Sequence, residues 1–255
     1  MNNISISKGK KIFFISDFHL GAPNYESSRL REHTIVTWLE GIMNDCDHLF
    51  ILGDIFDFWF EYKYVVPKGY IRLLGCLARF SDAGIPITCF TGNHDMWMFD
   101  YLEKELNINI KRSPEQYLIE GSKFLIGHGD GLGPGDHGYK LIKKIFSNKF
   151  CQWLFARLHP NAGIGLANYF SKKSRLATGS SDERYMGDDQ EFLMVYAKEQ
   201  LTLHPIDFFI FGHRHLVIDR PLPNNSRYVN IGDWIKYNSF ASFDGERLIL
   251  SSNGC

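Results

Sequence analysis

The sequence predicts an α/β fold built around a parallel sheet, and three observations carry that expectation. Short apolar, β-rich runs alternate with stretches of helical periodicity through the first half of the chain. The runs are apolar throughout rather than alternating, as strands buried on both faces require. Most of them end in a glycine beside Asp, Asn or His, so polar side chains collect where strands stop.

In order, KIFFIS (11–16) reads as the first buried strand. Residues 27–45 place Leu30, Thr34, Val36, Leu39 and Ile42 at helical spacing. HLFILG (48–53) is the second strand, residues 68–83 the second helical stretch and IPITCF (85–90) the third strand. This order makes the three strands parallel, because each helix carries the chain back to the starting edge. KFLIGH (123–128), DFFIFGH (207–213), RYVNIG (227–232), SFASF (239–243) and RLILS (247–251) read as later strands. The tight spacing of the closing strands predicts a second, partly antiparallel sheet.

Residues 131–187 interrupt the alternation and read as an insertion between core segments 1–130 and 188–255. The segment opens on GLGPGDHGY, contains apolar helical stretches and passes through the turn-rich ATGSSDERYMGDD. From 140 to 175 it holds Lys140, Lys143, Lys144, Lys149, Arg157, Lys172, Lys173 and Arg175, and neither Asp nor Glu. That window carries about +8 in a chain of formal net charge −1. Leu141, Ile145, Phe146, Phe150, Trp153, Leu154, Leu158 and Phe170 are interleaved with the bases. An ordinary helical hairpin with a solvated basic face would show the same periodicity. The missing acids favour a cap that accepts something both anionic and apolar.

At 255 residues the chain fits one large domain with an inserted subdomain. Its 44% hydrophobic and 15% aromatic content can fill a sizeable core, and its near-neutral charge makes no case for nucleic acid. The five cysteines (Cys46, Cys76, Cys89, Cys151, Cys255) form no C-x-x-C pair and read as thiols of a reducing compartment. The stretch MNNISISKGKKIFFISDFHL has one short apolar run that ends in Asp and His, unlike a signal peptide. No run approaches the roughly 18 apolar residues of a spanning helix. A cytoplasmic protein is expected.

Five clusters of candidate ligands stand at strand ends: Asp17-Phe18-His19, Gly53-Asp54, Gly92-Asn93-His94-Asp95, Gly127-His128-Gly129-Asp130 and Gly212-His213-Arg214-His215. Strand C-terminal ends open on one crevice, so the clusters are expected to meet there. Asp17 and His19 are two residues apart, as are His213 and His215. An extended backbone would aim both members of each pair the same way, with Phe18 and Arg214 facing away. Asp17, His19, Asp54, Asn93, His128, His213 and His215 offer oxygen and nitrogen donors and no thiolate, a set suited to a pair of divalent ions such as Mn, Fe, Zn or Ni. One such residue usually caps a turn; five repeats of the arrangement do not reduce to capping. Asp17 and Asp54 would neutralise only about half the charge of two divalent ions, leaving positive charge for a phosphoryl group. Asp54, central in the order, is the expected bridge.

The motifs D-x-H (Asp17, His19), G-D (Gly53, Asp54), G-N-H-D (92–95), G-H-G-D (127–130) and G-H-x-H (212–215) resemble, in kind and order, those of the calcineurin-like metallophosphoesterases. The resemblance implies a four-layer αββα sandwich with a dinuclear centre. It also implies one metal on Asp17, His19, Asp54 and His215, and a second on Asp54, Asn93, His128 and His213. Within that superfamily SDFHLG, LGDIFDFW, the basic-apolar insertion after GHGD and Asp136 are most similar to the UDP-2,3-diacylglucosamine hydrolases of lipid A biosynthesis. That likeness implies a pyrophosphatase with two divalent ions, Mn2+ foremost, acting on a lipid-linked nucleotide sugar. It further implies that residues 131–187 form a helical lid for acyl chains and that the protein sits peripherally on the inner membrane. Asn93, His94, Asp136, Ser171, Lys172, Arg175 and His213 are then the expected substrate contacts.

One position departs from the pattern. These hydrolases typically carry arginine after the metal-binding asparagine, where this chain has His94. An arginine stabilises charge on a good leaving group. A histidine oriented by Asp95 can instead protonate a poor one as a general acid. His94 and Asp95 are therefore candidate catalytic residues. The alternative activity is that of a phosphoesterase for another phosphomonoester, nucleotide or phosphodiester.

Overall fold

The computed structural model describes residues 2–135, 137–182 and 185–253, without the side chains of residues 172 and 174–182. The chain begins β1 (Asn2–Ile4), β2 (Lys11–Ile15), α1 (Tyr25–Ile42), β3 (Cys46–Ile51), α2 (Ile71–Asp82) and β4 (Ile87–Phe90). It continues α3 (Tyr101–Leu106), β5 (Asn109–Lys111), β6 (Glu115–Ile119), β7 (Ser122–Gly127), α4 (His137–Phe146), α5 (Lys149–Phe155) and α6 (Pro160–Asp182). It ends α7 (Phe192–Leu203), β8 (Phe208–Phe211), β9 (Val217–Pro221), β10 (Arg227–Ile231), β11 (Ser239–Phe243) and β12 (Leu248–Ser252).

Successive side chains of a strand face opposite ways, so a run that is apolar throughout needs cover on both sides. Two six-stranded sheets provide it, in the orders β12-β11-β2-β3-β4-β5 and β1-β6-β7-β8-β10-β9. Ile12, Phe14, Phe50 and Phe90 enter the space between the sheets and meet Phe124, Ile126, Ile210 and Val229. The alternate residues Phe13, Ile15, Leu49 and Ile51 turn outward onto Ile35 and Leu39 of α1 and Leu73 and Leu77 of α2. From the second sheet Leu125, Phe209 and Phe211 turn outward onto Leu193, Met194 and Ala197 of α7. Helix, sheet, sheet and helix make the four-layer αββα sandwich.

β2, β3, β4 and β5 are parallel, as the strand–helix alternation required. The second sheet is partly antiparallel, through the pairs β6–β7 and β9–β10. It is not built from the closing strands together, however. β10 joins it beside β8, whereas β11 and β12 complete the first sheet next to β2. Short spacing fixes only how far the chain travels, and residues 232–238 carry it across from one sheet to the other.

Local caps set where the helices start. Asn24 accepts the amide of Ser27 at 2.9 Å and begins α1 ahead of the expected 27. α2 is capped from outside: the buried Glu32 of α1 accepts the amides of Arg72 and Leu73 at 3.0 and 3.1 Å. Another carboxylate, Glu191 before α7, takes Arg214 Nε at 2.6 Å and Arg214 Nη2 at 3.2 Å, both residues being buried. Glu191→Ala would remove the carboxylate that pairs the buried guanidinium. It is expected to destabilise the fold by about 3–5 kcal/mol, read from denaturant midpoints at unchanged slope; a loss below about 1 kcal/mol would show the pair to be solvated.

The helices α4, α5 and α6 lie between β7 and α7, and no residue of α4 or α5 is buried. They are tied down along one side. Trp97 Nε1 donates to the Phe146 carbonyl at 2.8 Å, and the Phe155 ring sits 4.7 Å from those of Phe60 and Trp97. Lys143 Nζ reaches Asp130 at 2.6 Å. Among the described residues no helix is long and apolar enough to cross a membrane.

Candidate metal centre

The loops that leave β2, β3 and β4 on one sheet, and β7 and β8 on the other, bring all five clusters together. His19 Nε2 lies 3.1 Å from His215 Nε2, 3.6 Å from Asp17 Oδ1 and 3.5 Å from Asp54 Oδ2. His215 Nε2 is 3.3 Å from Asp17 Oδ1. On the other side of Asp54, His128 Nε2 lies 3.4 Å from Asp54 Oδ2 and 3.2 Å from Asn93 Oδ1. The His213 ring packs edge-on against His128 at 5.0 Å. The donor atoms of Asp17, His19 and His215 fall within 4.8 Å of one another, as do those of Asp54, His128 and His213. Asp54 also groups with His19 and His94, so it stands between the two sets.

These residues fit divalent ions. Asp17 Oδ1 is buried and accepts no hydrogen bond among the described residues, and two imidazole nitrogens face each other across 3.1 Å. Cations bound by these oxygen and nitrogen donors would satisfy such atoms together. The loops approach so closely that two positions must be glycine. A Cβ on Gly92 would run into the Asp54 carboxylate, and one on Gly53 (φ +94) would lie 2.7 Å from Gly92 N and His128 Nδ1.

The expected extended backbone does not aim the paired ligands. Asp17, His19, Asp54, His213 and His215 have φ of 57, 43, 52, 70 and 50, all left-handed. Each pair still delivers both side chains to the centre, because left-handed residues flank the one between and curl the chain around it. Phe18 does turn away, edge-on to Trp234 at 6.1 Å, and Arg214 turns to Glu191. Backbone conformations this uncommon are held at sites where surrounding packing enforces them.

Asp95 does not orient His94. Its carboxylate accepts the amides of Gly92 at 2.8 Å and Ile55 at 2.7 Å, and so knits the β3 and β4 loops together. Sequence adjacency misled here, since neighbouring residues in a turn point to different partners. His94 is held instead by Asp57, whose backbone carbonyl lies 3.0 Å from His94 Nδ1. Asp57 and Asp233 went unread as site residues. Asp233 Oδ2 lies 3.2 Å from His215 Nδ1, on the far side of the ring from the centre. Its signal was Gly232-Asp233 after a strand, the same step that marks Asp54. Arg31 supports the site from α1 by donating to the His19 carbonyl at 3.1 Å.

Of the expected substrate contacts, Ser171 reaches the centre, its Oγ donating to Asp57 Oδ2 at 3.0 Å. Asp136 and the side chains of Lys172 and Arg175 lie outside the described residues.

The electrostatics are those of a crowded, largely buried cluster. Burial alone would raise Asp17, but His215 and His19 beside it bring its carboxyl down to about 2. Burial likewise opposes charge on His128, yet the Asp54 carboxylate lifts it to about 10. Burial lowers His94 and His213 to about 4. Asp95, buried and facing the charge of Asp54, rises to about 7.

Residues 10–217 match the family model described as calcineurin-like phosphoesterase. A UDP-2,3-diacylglucosamine hydrolase from Porphyromonas gingivalis is 39% identical over 254 residues, covering 95% of this chain and 97% of the relative. Proteins of the same name from Histophilus somni and a Shewanella species are 25% and 26% identical, over 88% and 95% of this chain and 92% and 96% of theirs. The match reaches from the first ligand strand past the last histidine pair, and the chain belongs to the calcineurin-like phosphoesterases.

Proposed function

We propose that this metal-dependent hydrolase cleaves the pyrophosphate of UDP-2,3-diacylglucosamine, releasing UMP and 2,3-diacylglucosamine 1-phosphate. One P–O bond of the pyrophosphate breaks, and water supplies the oxygen that replaces it. The observation that carries the substrate class is the helical insertion beside the centre. Its large side chains face outward, Leu141, Phe150 and Trp153 being 60%, 64% and 51% exposed, amid an excess of bases. A core-forming hairpin would bury them; a lid over acyl chains and phosphates needs them available.

On this reading residues 131–187 are the lid and residues 1–130 and 188–255 the catalytic core. Asp17, His19, Asp54 and His215 hold one divalent ion, and Asp54, Asn93, His128 and His213 the other. Bound there, the ions supply Lewis acidity toward phosphoryl oxygen and lower the pKa of water. Mn2+ is the assigned metal, on donors that Fe, Zn or Ni could also use. Asn93, His94, Ser171 and His213 are the proposed substrate contacts among the described residues, and Asp136, Lys172 and Arg175 are proposed from the sequence alone. The same apolar and basic surface suits the anionic cytoplasmic face of a membrane, which supports a peripheral position on the inner membrane.

His94 fits a leaving group that needs little help. The Asp57 carbonyl can only accept, so Nδ1 carries the ring hydrogen and a neutral His94 offers a bare Nε2. Such an Nε2 has no proton to give an alkoxide, and the pyrophosphate leaving group is the one that needs none. The phosphoesterase reading keeps His94 as a general acid for poorer leaving groups.

Incubation with UDP-2,3-diacylglucosamine and mass spectrometry of the products separates the two. UMP and the lipid monophosphate are expected in equal amounts. His94→Ala is expected to slow this reaction by less than the roughly 10²–10⁴-fold that loss of a general acid costs. Intact nucleotide sugar beside rapid turnover of small esters would replace the lipid substrate with a water-soluble one.

A further inference from the structure

We propose that Asp57 is a positioning residue that couples seating of the helical insertion to the orientation of two histidines of the centre. The inference rests on the metal-centre assignment above. Asp57 follows Asp54 by one turn of loop, and its amide donates to the Leu20 carbonyl at 2.9 Å, which fixes it against the segment carrying His19. Its side chain is buried, 7% exposed. Oδ1 lies 3.6 Å from His19 Nδ1 and 3.7 Å from His94 Nδ1, in ion-pair range of both rings. Oδ2 accepts from Ser171 Oγ of α6 at 3.0 Å, and that hydroxyl is also 3.3 Å from His94 Nδ1.

One carboxylate thus faces the rear of a ligand histidine, the flank of His94 and a hydroxyl of the insertion. Negative charge behind His19 Nδ1 keeps the ring hydrogen on that nitrogen and leaves the Nε2 lone pair directed at Asp17, Asp54 and His215. Seating α6 satisfies Oδ2 and shields the carboxylate from water, which strengthens its hold on both rings. Lifting α6 wets the carboxylate and weakens that hold. The insertion and the centre are then mechanically linked through Asp57.

Asp57→Asn keeps the volume and removes the charge. The affinity of the whole chain for Mn2+, followed by calorimetric titration, is expected to weaken roughly 10–100-fold. Amide exchange in α6 around Ser171 is expected to accelerate in the same variant. Ser171→Ala should accelerate those amides too, add nothing further in the double variant, and weaken Mn2+ binding less than Asp57→Asn does. Asp57→Glu, which keeps the charge, should recover part of the Mn2+ affinity. Unchanged Mn2+ affinity in Asp57→Asn, or exchange effects that simply add in the double variant, would overturn the coupling. Should Asp57→Asn not fold, unchanged Mn2+ affinity and unchanged exchange in Ser171→Ala would overturn it equally. An unsubstituted chain that takes up no Mn2+ would remove the metal-centre assignment and the proposal together. Failure to hydrolyse the nucleotide sugar alters neither readout, so the two ideas fail separately.

Discussion

Asp54→Ala is expected to abolish hydrolysis and to lower bound metal more than His215→Ala does. Asp54 lies between the two groups of donors, 3.5 Å from His19 Nε2 and 3.4 Å from His128 Nε2, whereas His215 belongs to one group alone. Its other oxygen accepts the His94 amide at 2.9 Å, so the β4 loop loses an anchor as well. Activity should fall by more than roughly 100-fold, beyond the cost of losing an outer-shell partner. Alanine is also poorly suited to the left-handed backbone at this position, so Asp54→Asn, which tolerates it, separates lost charge from lost shape. Elemental analysis of each purified variant decides the matter. Equal metal content in Asp54→Ala and His215→Ala, or activity persisting with fewer than two ions, would refute a bridging role.

Trp153→Glu is expected to cripple hydrolysis of the diacylated nucleotide sugar and to cost a small aryl phosphodiester far less. Of the two aromatic residues most suited to line the lid, Phe146 is partly engaged, its ring 5.2 Å from Trp97. Trp153 is half exposed, stacked near Phe150 at 5.9 Å with the Arg157 guanidinium 4.8 Å over its ring. A carboxylate there would repel the phosphates, pair with the neighbouring bases and wet the apolar strip. Loss of contact with only two or three acyl methylenes, at about 0.8 kcal/mol each, corresponds to a loss of roughly 15–60-fold. Binding energy from that remote part of the substrate also orients the pyrophosphate, so the loss should appear in kcat as well as KM. Parallel rate measurements on both substrates, with a folding check by circular dichroism, test this. Equal losses with the fold intact would detach the insertion from lipid recognition.

Most of the strands that could be read from sequence are covered on both faces, and β11 and β12 were legible as well. β2, β3, β4, β7, β8 and β10 carry apolar residues on both faces because helices and the opposite sheet bury their two sides. β1 and β5 have three residues each and left no such trace. β9, an edge strand reading VIDRP with most of its side chains exposed, left none either. The seven ligand candidates were legible because each follows a strand and sits near a glycine. Their outer partners were not. Asp57 reaches Ser171 and Asp233 reaches His215 through folding alone, and no spacing rule links such pairs. Asp95 shows the converse: adjacency suggested a partner, and the loop geometry gave it four backbone amides instead.

The seam between the two sheets has a thermodynamic consequence. Asp17, Asp54 and Asn93 come from one sheet, and His128, His213 and His215 from the other. Beneath them the sheets meet chiefly through non-directional apolar contact. A cation held by donors from both sides is therefore a clasp across that seam, and one that the unfolded chain cannot assemble. Resistance to unfolding and metal concentration become a single variable. Each tenfold rise of free metal above its dissociation constant adds about 1.4 kcal/mol to the folded state per site. On the proposed ligand assignment, a quoted melting temperature has meaning only beside the metal activity at which it was taken.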